Sequence, residues 1–361
     1  MDNYLASGKL KDANNFVLNL NFEFLTGCTF NCRGCHVNKD QEKIIGEKEV
    51  EDLYEFLDTA SQSNYKPFIA FVGPTDFLVA KNTVAVLSDP GVVEILNEFK
   101  RLSFQTTYLN IENSDAIVAV LHEYYSECEI EVNMVVDPSR IMDDRYLQIL
   151  EKNKQVFLDK LGRPETKSFG IMNVYDYDKT KISNLLKDYE FMHKRVEHLF
   201  ETTIDYNFSL GRDPDLSSDD FKAAAERIKK LFNDSVVSSE KAQYLRFSFG
   251  KLTDSLIEKQ YNFLNGKLYF SPLLYERFAS FRDEFIIPTS KYHIQEVEAF
   301  ENEMIHKQYQ MAAKMDECES CIFLGSCVDR GILFLMDTYN VSSCLVAKDA
   351  LDTINNHGQR L

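Results

Sequence analysis

The sequence predicts an α/β protein: a parallel sheet built from six β/α repeats, followed by a smaller α+β piece. Three observations carry this. Strand-like runs alternate with helix-period stretches through roughly residue 230. The strand-like runs carry polar residues on their second face, which calls for either solvent or a wet interior on that side. Beyond Asn233 the pattern changes to two short alternating runs about Asn265-Gly266, a dipeptide suited to the positive φ values of a two-residue hairpin turn.

Strands are expected near residues 16–25, 67–73, 105–111, 129–136, 168–175 and 203–210. In the first, Leu18, Leu20, Phe22 and Phe24 share one face, and Asn19, Asn21 and Glu23 share the other. The third is expected to carry Thr106, Tyr108, Asn110 and Glu112 on one polar face; the fourth has Glu131, Asn133 and Asp137, and the sixth Asp205, Asn207 and Ser209. Helices follow from apolar residues at helical spacing: Val50, Leu53, Phe56 and Leu57; Val93, Ile95, Leu96 and Phe99; Ala116, Val118, Leu121 and Tyr125. Ser217 to Asn233 reads as the last helix of the first part, with the acidic start SSDD placed to cap it. A later stripe, Ile294, Val297, Phe300, Met304, Ile305, Met311 and Met315, reads as a packing face.

The chemistry concentrates at Glu23 to His36, EFLTGCTFNCRGCH, directly after the first strand. Only eight of 361 residues are Cys, and seven of them fall in two tight groups, which favours metal ligation over chance burial of free thiols. Cys28, Cys32 and Cys35 stand as C-x3-C-x2-C. Three thiolates on one loop can hold three corners of a cubane iron–sulfur cluster and leave one iron without a protein ligand.

This loop resembles the signature of the radical S-adenosylmethionine (SAM) family, which lies after the first strand of the barrel. The resemblance implies a partial (β/α)6 barrel with the polar strand faces lining its interior. It also implies a [4Fe-4S] cluster on Cys28, Cys32 and Cys35 whose open iron chelates SAM, cleaving it to a 5′-deoxyadenosyl radical that abstracts substrate hydrogen. In the family a Gly-Gly-Glu-like stretch ends the second strand and meets the SAM amino group. Here the place reads VGPTDF, so Gly73, Thr75 and Asp76 are the expected contacts. By the same resemblance Asn133 and Asp137 stand for ribose or methionyl contacts, and Asn207 and Leu210 for the adenine side. Gly34 departs from the aromatic often found before the third Cys. Glu23, Tyr108, Glu112 and Glu131 are the candidates for a general acid or base.

The second group, Cys318, Cys321, Cys327 and Cys344, has the spacing C-x2-C-x5-C-x16-C. Four thiolates can saturate zinc or an iron–sulfur cluster, and the spacing does not choose between them. Following the radical SAM loop, this group resembles a SPASM extension, which in many relatives carries two auxiliary clusters. Ser271 stands where the pattern G-x4-C after Gly266 needs Cys, and Gly331 stands three residues beyond Cys327. The missing positions are those that hold the first auxiliary cluster in the family. The expectation is therefore a single, second [4Fe-4S] auxiliary cluster on the four Cys, with domains at 1–235 (radical SAM core) and 236–361 (SPASM-like module). Cys128 belongs to neither group and reads as a buried thiol.

The chain of 361 residues exceeds one ordinary core, and its 44% apolar content is that of a globular protein. The N-terminus lacks the apolar core of a signal peptide, and no stretch approaches the roughly 18 apolar residues of a membrane span, so a soluble, cytoplasmic protein without membrane association is expected. A reducing compartment also favours metal ligation over disulfides. A net charge of −17 makes nucleic acid a poor partner. SPASM-type relatives most often modify peptides or protein side chains by crosslinking or oxidation. The resemblance therefore implies a peptide-modifying oxidoreductase with a reducing partner such as flavodoxin or ferredoxin. The alternatives are a radical SAM enzyme acting on a small molecule or nucleotide, and a non-catalytic metal-stabilised binding or redox-sensing protein.

Overall fold

The computed structural model describes residues 16–30, 46–136, 143–175, 204–209, 258–264, 267–269 and 293–318, with isolated residues elsewhere. In chain order the elements are β1 (Phe16–Glu23), α1 (Glu47–Gln62), β2 (Tyr65–Gly73), α2 (Thr83–Leu87), α3 (Pro90–Asn97), β3 (Arg101–Thr106), α4 (Ser114–Tyr124), β4 (Glu129–Val136), α5 (Asp144–Leu161), β5 (Lys167–Tyr175), β6 (Ile204–Ser209), β7 (Glu258–Leu264), β8 (Lys267–Tyr269) and α6 (Ile294–Ala312). The strands form one sheet in the order β6-β5-β4-β3-β2-β1-β7-β8. From β1 to β6 every neighbouring pair is parallel and each crossover steps one strand in the same direction. Right-handed crossovers that never reverse direction carry their helices to one face of a sheet.

That face is the apolar one. Leu18, Leu20 and Phe22 of β1, Ala70 and Val72 of β2, Leu102 and Phe104 of β3, and Ile130, Val132 and Met134 of β4 are buried with Leu53, Phe56 and Leu57 of α1, Ile95 and Leu96 of α3, Ile117 and Leu121 of α4, and Leu150 and Phe157 of α5. Helix starts follow capping chemistry. Asp89 accepts hydrogen bonds from the Gly91 and Val92 amides ahead of Pro90, and Asp143 accepts from the Arg145 amide. The α4 carboxyl end is closed by the Arg163 guanidinium, which donates to the Leu121, Tyr125 and Cys128 carbonyls at 2.9–3.1 Å. Gly162, with φ +60°, ends α5 in the left-handed region.

A proline inside β2 is accommodated by a bulge. The β1–β2 register shifts between Leu18 and Asn19, skipping from Pro67 to Ile69. There the Asn19 side chain accepts the Ile69 amide at 3.0 Å, so the ladder absorbs a residue with no N–H to donate.

β3 is a correction to the sequence expectation: it spans Arg101–Thr106 rather than 105–111. Its ladder to β4 runs from Arg101↔Glu129 to Thr106↔Met134. Leu102, Phe104 and Thr106 lie in phase with the apolar face, and Arg101, Ser103 and Gln105 form the polar one. The α4 stripe shifts too, with Ile117 buried and Ala116 exposed.

β7 joins the sheet on the far side of β1, parallel to it, and pairs antiparallel with β8 around the two residues 265–266, as the hairpin signal predicts. α6 docks beside α1 and β7 through Ile294 and Val297. Tyr65 donates to Glu298 at 2.6 Å, Lys259 to Glu301 at 2.7 Å, and the Ile294 amide to Thr59 Oγ1 at 3.1 Å. The helix expected over Ser217 to Asn233 lies outside the described residues. Among the described residues no helix is long and apolar enough to cross a membrane.

Candidate functional site

The Cys segment leaves the sheet at the carboxyl end of β1, the end at which parallel α/β sheets place their chemistry. Its first residues are held on both edges. The Leu25 amide donates to the Gly73 carbonyl at 2.8 Å at the end of β2. On the other edge the Asn82 carboxamide accepts from the Thr26 amide and donates to the Phe24 carbonyl, both at 2.8 Å. The Lys81 amide adds a bond to the Thr26 carbonyl at 3.1 Å. Gly27 then turns the chain with φ +72°, where a Cβ would lie 3.0 Å from that of Lys81. Cys28 follows, half-buried. Cys32 and Cys35 lie outside the described residues. The donor set, three thiols with the first rigidly presented at the sheet's carboxyl edge, fits an iron–sulfur centre with one open iron.

The VGPTDF stretch adjoins this loop. Gly73 closes β2 and Thr75 is buried. Asp76 spends its carboxylate on local structure: Oδ1 accepts the Leu78 amide at 3.0 Å, and Oδ2 accepts the Thr107 amide and hydroxyl, each at 2.7 Å. The residue as a whole keeps some exposure, but the carboxyl group is enclosed. Burial raises its pKa above the ordinary value, against the lowering effect of the Thr107 and Leu78 bonds. The oxygens expected at a SAM amino group are thus, for Asp76, already accepting from β3's exit loop.

Below this edge much of the polar strand face is enclosed, although Gln105 is exposed. Asn19, Glu23, Ser103, Glu131, Asn133 and Asn262 are between 1% and 7% exposed. Asn21 donates to Asn262 Oδ1 at 2.6 Å, linking β1 to β7. On β3 and β4 the polar groups form one network. Glu131 Oε1 accepts from Ser103 Oγ at 2.9 Å and Asn133 Nδ2 at 3.3 Å, and Oε2 faces Arg101 Nη1 at 3.3 Å. Asn133 also donates to Ser103 Oγ at 2.8 Å. Arg101 pairs with Glu129 at 2.8 Å, which holds the Glu129 carboxyl below its usual range. Sequence reasoning missed Arg101 and Ser103, because its third strand began too late to include them.

Two acid–base candidates leave this face. With β3 ending at Thr106, Tyr108 falls beyond the strand with φ +52° and is buried on the helix side, its ring 6.0 Å from Phe157 of α5 and its carbonyl accepting from Asn153. Glu112 is exposed on the loop before α4. Glu23 and Glu131 remain on the polar face. Asp137 and Leu210 lie outside the described residues; for Asn207 the register alone is described, opposite Asn173.

Of the second Cys group, Cys318 is buried on the short 3-10 turn Asp316–Cys318 that follows α6, its amide donating to the Met315 carbonyl at 3.0 Å. Cys321, Cys327 and Cys344 lie outside the described residues. Fully buried Gln308 of α6 donates to the Val328 carbonyl at 2.6 Å, next in sequence to Cys327. Cys128 is buried ahead of β4, and burial pushes its thiol up to about 11. Among the described residues no three His, Cys, Asp or Glu side chains converge as a complete metal site.

No protein-family profile matches the chain, and no curated protein matches it in sequence. Solved structures do match. Native anSMEcpe with bound AdoMet is 12% identical over 86% of this chain and 88% of that one, with a TM-score of 0.51. Native anSMEcpe with bound AdoMet and Kp18Cys peptide is 13% identical over the same shares, again with a TM-score of 0.51. At this identity the likeness is one of fold: the chain shares the α/β architecture of that protein.

Proposed function

We propose that this chain is a radical SAM enzyme whose substrate is a peptide or protein side chain. The observation that carries the reading is the C-x3-C-x2-C segment at the carboxyl end of β1, entered through residues pinned on both edges, in a chain whose fold matches anSMEcpe. Cys28, Cys32 and Cys35 would hold a [4Fe-4S] cluster with SAM on its open iron. When bound, that pair supplies reductive cleavage of SAM to a 5′-deoxyadenosyl radical, which takes a hydrogen from the substrate. The sheet is proposed to curl as a partial (β/α)6 barrel with the enclosed polar face inside. Gly73 and Thr75 at its rim, and Asn133, Asp137, Asn207 and Leu210 further round, are the proposed SAM contacts. The Arg101–Glu131–Ser103 network orients the Asn133 carboxamide, and Glu23 stands nearest the Cys segment on the polar face.

The peptide class is supported by the matched structure that holds a Kp18Cys peptide. Cys318, Cys321, Cys327 and Cys344 are proposed to hold a second [4Fe-4S] cluster within a SPASM-like module at 236–361, appended to the core at 1–235. A flavodoxin or ferredoxin is the proposed reductant and the cytoplasm the proposed compartment. The test is anaerobic reconstitution followed by dithionite and SAM. The expected product is 5′-deoxyadenosine, lost in Cys32→Ala. Uptake of zinc without iron, or undiminished cleavage in Cys32→Ala, would overturn the reading.

A further inference from the structure

We infer that Asn82 is a positioning residue for the metal-binding Cys segment, holding the backbone just ahead of Cys28 at the cost of capping its own helix. The inference rests on the reading of Cys28 as a ligand.

Past Glu23 the chain has left the β1 ladder, yet Phe24, Leu25 and Thr26 are buried, and buried backbone donors and acceptors need partners. Along an extended segment successive residues point their N–H and C=O to opposite edges. The Leu25 amide is satisfied on one edge by Gly73. On the other, Asn82 accepts from the residue after Leu25 and donates to the residue before it. That is the bonding of a parallel strand residue placed opposite Leu25. A carboxamide has the donor and acceptor of a peptide group, so Asn82 serves as a one-residue strand.

Its position makes the assignment specific. Asn82 is the N-cap residue of α2, where an Asn side chain ordinarily accepts from its own helix's first amides. Here it makes no such bond. The helix start is held instead by Thr83, whose hydroxyl donates to the Phe77 carbonyl at 2.7 Å and the Ala80 carbonyl at 3.1 Å. The same short loop begins at Asp76, which is tied to Thr107. One loop therefore fixes the exits of β1, β2 and β3 together, two residues before Gly27 turns the chain into Cys28.

Three substitutions in the full-length chain separate this role from helix capping. Asn82→Ala removes both bonds. Asn82→Ser restores a good cap for α2 but is too short to bridge Phe24 and Thr26. Asn82→Asp keeps an acceptor for the Thr26 amide. Hydrogen exchange at Thr26, read by mass spectrometry, is expected to accelerate about tenfold in the Ala and Ser variants and to stay slow in Asp. Leu20 and Val132 serve as controls for intact folding. After anaerobic reconstitution, loss of iron to a chelator is expected to be about tenfold faster in Ala and Ser than in wild type. Unchanged Thr26 exchange in Asn82→Ser, or faster exchange with unchanged chelator resistance, would overturn the assignment. A wild-type chain that takes up no iron would overturn the radical SAM reading instead, and the Thr26 exchange would still report whether Asn82 pins the backbone.

Discussion

Glu131 shows how the enclosed polar face is kept stable. Its carboxylate takes bonds from Ser103, Asn133 and Arg101, so the charge is matched by donors on neighbouring strands rather than by water. An acid–base role for Glu131 would have to break these bonds. Glu131→Ala is expected to destabilise the fold by about 2 kcal/mol, measured by urea denaturation, because Arg101 retains Glu129 and only part of the network is orphaned. Cys128 offers a pH test. Burial favours its neutral thiol, so the folded chain holds that proton to a higher pH than the unfolded chain does. Its contribution to stability is complete below the ordinary thiol range and is lost as pH rises through about 11. Denaturation midpoints between pH 9.0 and about 11 should therefore fall more steeply in wild type than in Cys128→Ala.

At the scale of elements, α1 is the hub that ties the amino-terminal half to β7 and α6. Phe56 is fully buried and meets Tyr261 of β7 edge to face, with ring centres 6.1 Å apart. Phe56→Ala should cost about 3–5 kcal/mol in equilibrium unfolding, since the cavity would lie between helix and sheet. The α6 stripe repeats a lesson about periodicity. Ile294, Val297 and Met304 are buried as their spacing predicts, but the face continues through Gln308 and Ala312 rather than Ile305 and Met311. A buried glutamine interrupts an apolar pattern, and its use became visible only through its bond to Val328. β3 was misplaced for a related reason. Apolar residues continue past the strand at Tyr108, Leu109 and Ile111 with a change of phase, so strand-like residues run on locally; the ladder partners on β2 and β4 end β3 by Thr106.

For the whole molecule, the two Cys groups are far apart in sequence and begin on different elements: Cys28 beyond β1, and Cys318 beyond α6. They should behave as separable metal sites. Cys318→Ala is expected to lower iron and sulfide by about one cubane cluster while leaving 5′-deoxyadenosine formation measurable; Cys32→Ala should remove the other cluster and the cleavage with it. Loss of all iron in either variant would argue for one shared centre.

The sequence by itself determined the repeating strand–helix order, the hairpin, the apolar helix faces and the two thiol groups, because each is written in short-range periodicity or spacing. Gly73, Glu23, Glu131 and Asn133 were also legible, as polar or turn residues at strand ends and on alternating positions. Only the tertiary structure decided where β3 stops, that Glu131, Ser103 and Asn133 on the polar strand face are enclosed, that the Asp76 carboxylate is occupied by Thr107, and that Asn82 reaches across to Phe24 and Thr26. Each of these depends on partners distant in the chain, from 31 residues for Asp76 and Thr107 to 56–58 for Asn82 and its two partners. Hydrogen-bond satisfaction in a buried backbone is a global condition that no local pattern records.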